Sequence, residues 1–310
     1  MTGNPDNGHG PEPGRGGGAG ALAAFEEHRN LLFSIAYRML GSVADGEDIL
    51  QEAYLRWQGA SETEIRSPRA FLVTIVTRLC INHLQSARLQ REAYVGEWLP
   101  EPLLTGPGSD ASAVVQADES VSMAMLLLLE RLTPAERAVF LLHEVFEYRH
   151  AEIAAAVALT EAHCRQLLRR AQRRVRETRP RFQAPAREHR ELLESFAEAA
   201  GSGDMGHLLS LLSGDVVLHA DGGGKASALL LPIYGADNVA RASVYGLGRL
   251  RSLGVQQRFV EINGRPGILS YLNGRPQSTF TIEASEGRIR AIYIVTNPEK
   301  LAHLPSQEPF

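Results

Sequence analysis

Two clusters of side chains in this sequence are spaced for work at charged surfaces. Between Arg165 and Arg181 lie eight arginines against one acid, Glu177, an excess suited to neutralising phosphates. A short apolar helix over 151–157, a tight turn and Thr160 as a helix N-cap precede them. That is the plan of a helix-turn-helix, whose second helix enters a DNA major groove. His163, Arg165 and Gln166 fall on its first turn and a half, within reach of base edges, where Gln pairs with adenine and Arg with guanine. Arg169, Arg170, Arg173 and Arg174 lie farther along, at phosphate-contacting positions. The second cluster is acidic. Asp45, Asp48 and Glu52 share one helix face with Glu47 and Gln51 beside them, while Ile49, Ala53 and Trp57 mark another. From spacing alone a solvated face is the simpler reading; a docking surface for a basic partner is the other.

Catalytic arrangements are weaker. His219 and Asp221 project together at the end of a β-type run and would make an acid–base pair if they met at a pocket mouth. The plainer reading makes Asp221 the start of a Gly-rich turn and His219 an ordinary strand residue. Gly222, Gly223 and Gly224 before Lys225 lack P-loop spacing. Cys80 and Cys164 make neither a disulfide framework nor a zinc motif. The expectation is therefore a protein that is not an enzyme, with no cofactor and no metal, in a reducing cytoplasm.

These clusters belong to a 310-residue chain of net charge −4, long enough for two or three domains. All but two of its 32 basic residues are arginine, the exceptions being Lys225 and Lys300. No apolar run is long enough to span a membrane, and the start lacks an export signal. Residues 1–20 are Gly/Pro-rich and read as a disordered tail. Helical periodicity runs over 21–90, with Ser67-Pro68 as a helix start. A Pro/Gly/Ser-rich linker follows over 91–120. Helices return over 121–180, broken near Thr133-Pro134 and Leu159-Thr160, and Pro180 and Pro185 close that run. After a helix over about 188–200 the chain turns β-rich to 310, with runs at 216–219, 229–234, 255–262, 268–272, 278–284 and 289–295. Two Asn-Gly-Arg-Pro copies, at 263–266 and 273–276, signal hairpins, so this part reads as an α+β antiparallel meander.

On these residues the chain is identified as resembling the extracytoplasmic-function sigma factors. Residues 21–90 resemble their region 2 and 121–180 their region 4, two all-α modules. The resemblance implies that Asp45, Glu47, Asp48, Gln51 and Glu52 bind the β′ clamp coiled coil of RNA polymerase core, with region 4 at the β flap. It implies that Arg66, Arg69, Thr74, Arg78, Asn82 and Arg88 serve the minus-10 element, with a flipped base captured by the loop 59–66. Thr160, His163, Arg165, Gln166, Arg169, Arg170 and Arg173 would serve the minus-35 element. The linker would hold the two modules about one promoter spacer apart.

Three further stretches, 94–103, 221–225 and 297–301, resemble signatures of sigma factors with a fused SnoaL-like domain, a curved sheet closed by helices into a cone. They nominate Trp98, Pro100, Asp221, Gly223, Lys225, Asn297, Pro298 and Lys300 as regulatory contacts between that domain, 188–310, and the sigma regions or their linker. The resemblance implies partners in polymerase core and promoter DNA, no membrane, and no separate anti-sigma factor. Ala158 stands where a helix-turn-helix often has glycine, at a cost of about 1 kcal/mol if the backbone there has positive φ. Two competing readings remain: a one-component regulator that binds DNA alone and senses a ligand through its C-terminal domain, and a C-terminal isomerase or cyclase. The first leaves the acidic helix without a task.

Overall fold

The computed structural model describes residues 17–60, 65, 67–106, 121–178, 185–226 and 228–307, without the side chains of 17–19, 87–92, 178 and 186. Three helices open it: α1 (Gly17–Leu40), α2 (Val43–Gln58) and α3 (Pro68–Glu92). α1 begins within the stretch expected to be a tail, so the helical part starts at Gly17; residues 1–16 lie outside the described residues. Gly41, at φ +68, makes the sharp joint between α1 and α2. Ser67 caps α3 as expected, its hydroxyl accepting from the Ala70 amide at 3.3 Å.

Four shorter helices follow: α4 (Met123–Glu130), α5 (Pro134–Glu144), α6 (His150–Val157) and α7 (Glu161–Thr178). Thr133 and Glu136 close a reciprocal capping box at one anticipated break. At the other, Thr160 accepts from the His163 amide at 3.2 Å. Ala158 ends α6 in the left-handed region, φ 56 and ψ 43. Cys164, Leu167, Leu168, Ala171 and Val175 form the buried stripe of α7, leaving its arginines outside.

The two groups of helices share one core, in which Leu32, Leu40 and Leu72 pack with Phe140, Leu141 and Ile153. Arg137 of α5 is sealed between them, donating to the Met39 carbonyl at 2.5 Å and to Glu130 at 2.8 Å, and burial lowers its pKa to about 10. In the free chain the two modules are packed together and not held a spacer apart: the apolar faces of α1, α3, α5 and α6 bury one another.

The remainder runs α8 (Ala186–Ser202), α9 (Met205–Leu211), β1 (Leu212–Asp221), β2 (Ile233–Tyr234), α10 (Ala236–Ser252), β3 (Gln256–Ile262), β4 (Arg265–Leu272), β5 (Arg275–Ser285), β6 (Arg288–Val295) and α11 (Pro298–Leu301). The sheet order is β2-β1-β6-β5-β4-β3. β3 to β6 form the expected meander, while β1 joins β6 in parallel, so the sheet is mixed. Both Asn-Gly pairs turn with positive φ at each residue, 53° and 70° at Asn263-Gly264 and 52° and 75° at Asn273-Gly274, the type I′ geometry that suits strand twist. Of the run 229–234 only Ile233–Tyr234 is strand. α10 was not anticipated, because Gly246, Gly248 and its arginines interrupt the stripe of Val239, Ala240, Val244 and Leu247.

Strand alternation gives this sheet two buried faces. Leu218, Ala220, Ile268, Ile282 and Ile292 point toward α8 and α10. Leu269, Tyr271, Tyr293 and Val295 point the other way, onto Leu99 of the linker, Met123 of α4, and Leu301 and Leu304. Among the described residues no helix is long and apolar enough to cross a membrane.

Ala158 carries a Cβ in a backbone conformation that glycine adopts freely. Ala158→Gly is expected to raise unfolding stability by about 1 kcal/mol, measured by chemical denaturation of the full chain; an unchanged or lower stability would contradict this.

Candidate functional site

The linker is not a loose tether. Residues 94–106 run between the sheet and the joint of α1 with α2, the Glu101 amide donating to the Gly41 carbonyl and Leu99 packing on the sheet, and 107–120 lie outside the described residues. Asp221, with no exposed surface, ends β1 beneath this strap. Its Oδ1 accepts from the Tyr94 hydroxyl at 2.6 Å, and its Oδ2 accepts from the Leu99 amide at 2.8 Å and from Lys300 Nζ at 2.7 Å. Its carbonyl receives the amides of Thr296 and Asn297. Burial, and then the hydrogen bond to Asp221, pushes the Tyr94 phenol well above its usual range, so it stays a donor.

Lys300 is 6% exposed. Besides Asp221 it donates to the Leu99 carbonyl, and its ammonium lies 4.1 Å from the Trp98 ring centre and 5.1 Å from that of Tyr94. Asn297 caps α11 and donates to the Tyr94 hydroxyl at 2.9 Å, with Pro298 at the first helical position. A Cβ on Gly223 would fall 2.3 Å from Asn297 Nδ2, so the backbone must pass there bare. Lys225 pairs with Glu299 at the surface. Trp98 and Pro100 close over Gly41. All eight residues nominated as regulatory contacts thus lie along one seam.

His219 does not form an acid–base pair with Asp221 at a pocket mouth. Its Nδ1 lies 2.7 Å from Glu97 of the strap and its ring stacks on Tyr293, on the sheet face opposite the cavity of this domain.

Two residues that the sequence left unmarked matter as much. Glu101 of the strap is 8% exposed and caps α2: it accepts from the Ser42 hydroxyl at 3.0 Å and the Val43 amide at 2.7 Å, a carboxylate at a helix N-terminus. Asn263, at the first hairpin, receives the Leu103 amide at 3.0 Å and donates to Tyr37 of α1 at 2.6 Å and to the Val121 carbonyl at 2.9 Å. Leu104 bridges to Ile262, so the strap also covers the open edge of β3. The duplicated Asn-Gly signalled a turn and nothing about this contact.

On α2, Glu47, Asp48, Gln51 and Glu52 are exposed, whereas Asp45 is half-buried and faces His83 at 3.6 Å. Glu47 pairs with Arg29 and Glu52 with Arg56. On α7, His163, Arg165, Gln166, Arg169, Arg170 and Arg173 are exposed beside the capping Thr160, and Arg165 pairs with Glu161. Arg174 is engaged instead with Glu136.

The minus-10 set divides. Arg78 donates to the carbonyls of Ala156 at 2.9 Å and Ala155 at 2.8 Å, tying α3 to the end of α6, and Arg69 lies over the Tyr148 ring. Thr74 returns its hydroxyl to Ala70, and Asn82 is exposed. Arg66, most of the loop 59–66 and the Arg88 side chain lie outside the described residues.

The chain matches Sigma-70 region 2 over residues 24–90 and Sigma-70, region 4 over 122–175. It is 36% identical over 299 residues to ECF RNA polymerase sigma factor SigJ of Mycobacterium tuberculosis, covering 93% of this chain and 95% of that protein. The chain belongs to the extracytoplasmic-function sigma-70 family. SigI of the same species, a probable ECF RNA polymerase sigma factor, is 30% identical over 292 residues, covering 92% of this chain and 96% of that protein. The crystal structure of SigJ is similar with a TM-score of 0.73 at 35% identity, covering 91% of this chain and 98% of that one. This sigma factor directs transcription initiation at promoters, and the reading as a one-component regulator gives way. Its C-terminal domain is the six-stranded mixed sheet with its packed helices described above. The expected absence of a separate anti-sigma factor is dropped, since a fused regulator does not exclude a second one.

Removing one partner of a buried ion pair strands the other charge, at about 3–5 kcal/mol. Asp221→Asn and Lys300→Met are each expected to destabilise the chain. The double variant should recover at least about 1 kcal/mol relative to the summed effects. Strict additivity in this double-mutant cycle would sink the pairing.

Proposed function

We propose that the units 188–310 and 91–120 act together as a latch on the two promoter-reading units, 21–90 and 121–180. The observation that carries this is one continuous strap: Leu99 is held by Asp221 and Lys300, and two residues on, Glu101 caps the acidic helix α2. Arg78 and Arg69 of the minus-10 helix are meanwhile spent on α6 and Tyr148, so α3 and the helix-turn-helix cover each other. Reading two separated promoter elements requires those contacts to part.

In this reading, Asp48, Glu52, Gln51 and Glu47, with Asp45 behind them, dock on the β′ clamp coiled coil of the polymerase core, and the 121–180 unit engages the β flap. Arg165 and Gln166, with His163, read minus-35 base edges from the first turns of α7; Arg169, Arg170 and Arg173 hold phosphates, and Thr160 positions the helix. Arg69, Thr74, Arg78, Asn82, Arg66 and Arg88 serve minus-10 once α3 is uncovered. The exposure of the α2 and α7 faces supports this assignment. The protein works in the cytoplasm as a non-enzyme, in keeping with its sigma-factor relatives; Asp221 and His219 are committed to the strap.

Run-off transcription with purified core polymerase tests the latch. Lys300→Met is expected to raise basal output several-fold over the unaltered chain. Asp48→Ala with Glu52→Ala should lose output and core affinity while melting normally, since both side chains are exposed. Equal output from Lys300→Met and the unaltered chain would refute the latch, and retained core affinity in the double variant would refute the docking face.

A further inference from the structure

Behind the sheet face opposite the strap, the cone encloses a cavity of about 810 Å³, within the range of small-molecule sites. Its floor is apolar, with Leu218, Ile268, Phe280 and Ile294 from the sheet facing Phe196 and Leu247 from the helices. Ser270 and Ser278, cross-strand partners 1% and 5% exposed, also line it and bring two hydroxyl groups to its wall. The cations at the lining are Lys225, already paired with Glu299, and Arg249, which is exposed. The mouth shows apolar surface to water: Leu229 is 39%, Leu253 53% and Tyr245 74% exposed.

We propose that this cavity is a receptor site for a small, uncharged, largely apolar molecule carrying a hydrogen-bonding oxygen or nitrogen, and that its occupancy tightens the strap. The apolar floor supplies the affinity, and the hydroxyls of Ser270 and Ser278 supply a polar anchor. A cationic group placed inside would lose its hydration and meet no carboxylate among the described residues, and an anionic one would meet only Lys225, already paired with Glu299, and the solvent-exposed Arg249. Among the described residues no carboxylate, histidine or cysteine lines the cavity, and the proposal is of binding alone.

The coupling is structural. Thr296, Pro298 and Leu301 wall the cavity, and the same segment carries Asn297 and Lys300, which hold Tyr94, Leu99 and Asp221 on the other side. At the mouth, the loop bearing Leu229 continues to Leu230, whose side chain lies 3.6 Å from where a Cβ on Gly96 of the strap would sit. A molecule filling the cavity adds contacts behind α11 and favours the arrangement in which that wall is formed. This coupling rests on the latch reading above; the binding site itself does not.

The test uses the full chain and two fluorophores sharing one ring system, neutral N-phenyl-1-naphthylamine and anionic 8-anilinonaphthalene-1-sulfonate. The neutral probe is expected to bind saturably at one site per chain and at least tenfold more tightly than the anionic one. Ala242→Trp, which fills the cavity from α10, and Leu253→Arg, which puts a charge at its exposed mouth, should each weaken it at least tenfold. Leu253→Arg keeps the test open if Ala242→Trp does not fold. With the neutral probe bound, cleavage after Glu97 by a Glu-specific protease should slow several-fold. Absence of saturable binding, indifference to both variants, or preference for the anionic probe would overturn the site. Binding with no change in cleavage would overturn the coupling alone, leaving the latch to be judged by Lys300→Met in transcription.

Discussion

Asp221 is a charge with no exposed surface at the end of a strand, and most of the architecture follows from what must surround it. Taking a carboxylate out of water costs several kcal/mol unless it is paired and hydrogen-bonded. Three donors on its two oxygens meet that demand, and they come from two other parts of the chain: Tyr94 and the Leu99 amide from the strap, and Lys300 from the last helix. Leaving out any one exposes a lone pair to an apolar wall. The strap, β1 and α11 therefore assemble together, and the chain's two lysines, Lys225 and Lys300, both sit on this seam. Lys300 also needs its flexible stem: Trp98 and Tyr94 accept a compact ammonium over their rings, where a planar guanidinium fork would need other partners.

From that seam the constraint passes to the helices. Glu101 and Asn263 hand it on, one to the N-terminus of α2 and the other to Tyr37 inside α1. A sheet with one covered face would have exposed Leu269, Tyr271, Tyr293 and Val295; here the strap and α4 bury them. Because α4 belongs to the same helical body as the helix-turn-helix, the cover of the sheet and the placement of the DNA-reading helix are one packing problem. The core common to α1–α3 and α4–α7 adds a second hold, with Arg137 and Arg78 supplying its polar ties.

Much of this was legible in the residue order. Ser67-Pro68, Thr133 with Glu136, and Thr160 announced helix starts through local capping chemistry, and Asn263-Gly264 and Asn273-Gly274 announced hairpins through the φ they require. The stripe of α7 separated its core from its arginines. What was not legible depended on partners distant in the chain. Glu101 looks like any linker acid until α2 arrives beneath it, and Asn263 is fully used as a turn residue before its side chain is considered. Arg78 read as a DNA contact through the resemblance to region 2, which carries nothing about the end of α6 that lies against it. The parallel placement of β1 and the existence of α10 were hidden for another reason: periodicity carries no information on strand order, and glycines at 246 and 248 broke the helix signal.

The account stands on the strap being held in the free protein and released on the polymerase. Hydrogen exchange of the Leu99, Leu103 and Thr105 amides, whose acceptors are Asp221, Asn263 and Glu261, measures this directly. The account predicts strong protection at all three in the free chain, lost in Lys300→Met at Leu99 first and lost at all three when core polymerase binds. Exchange at unprotected rates in the free chain, or protection unchanged on core polymerase, would contradict it.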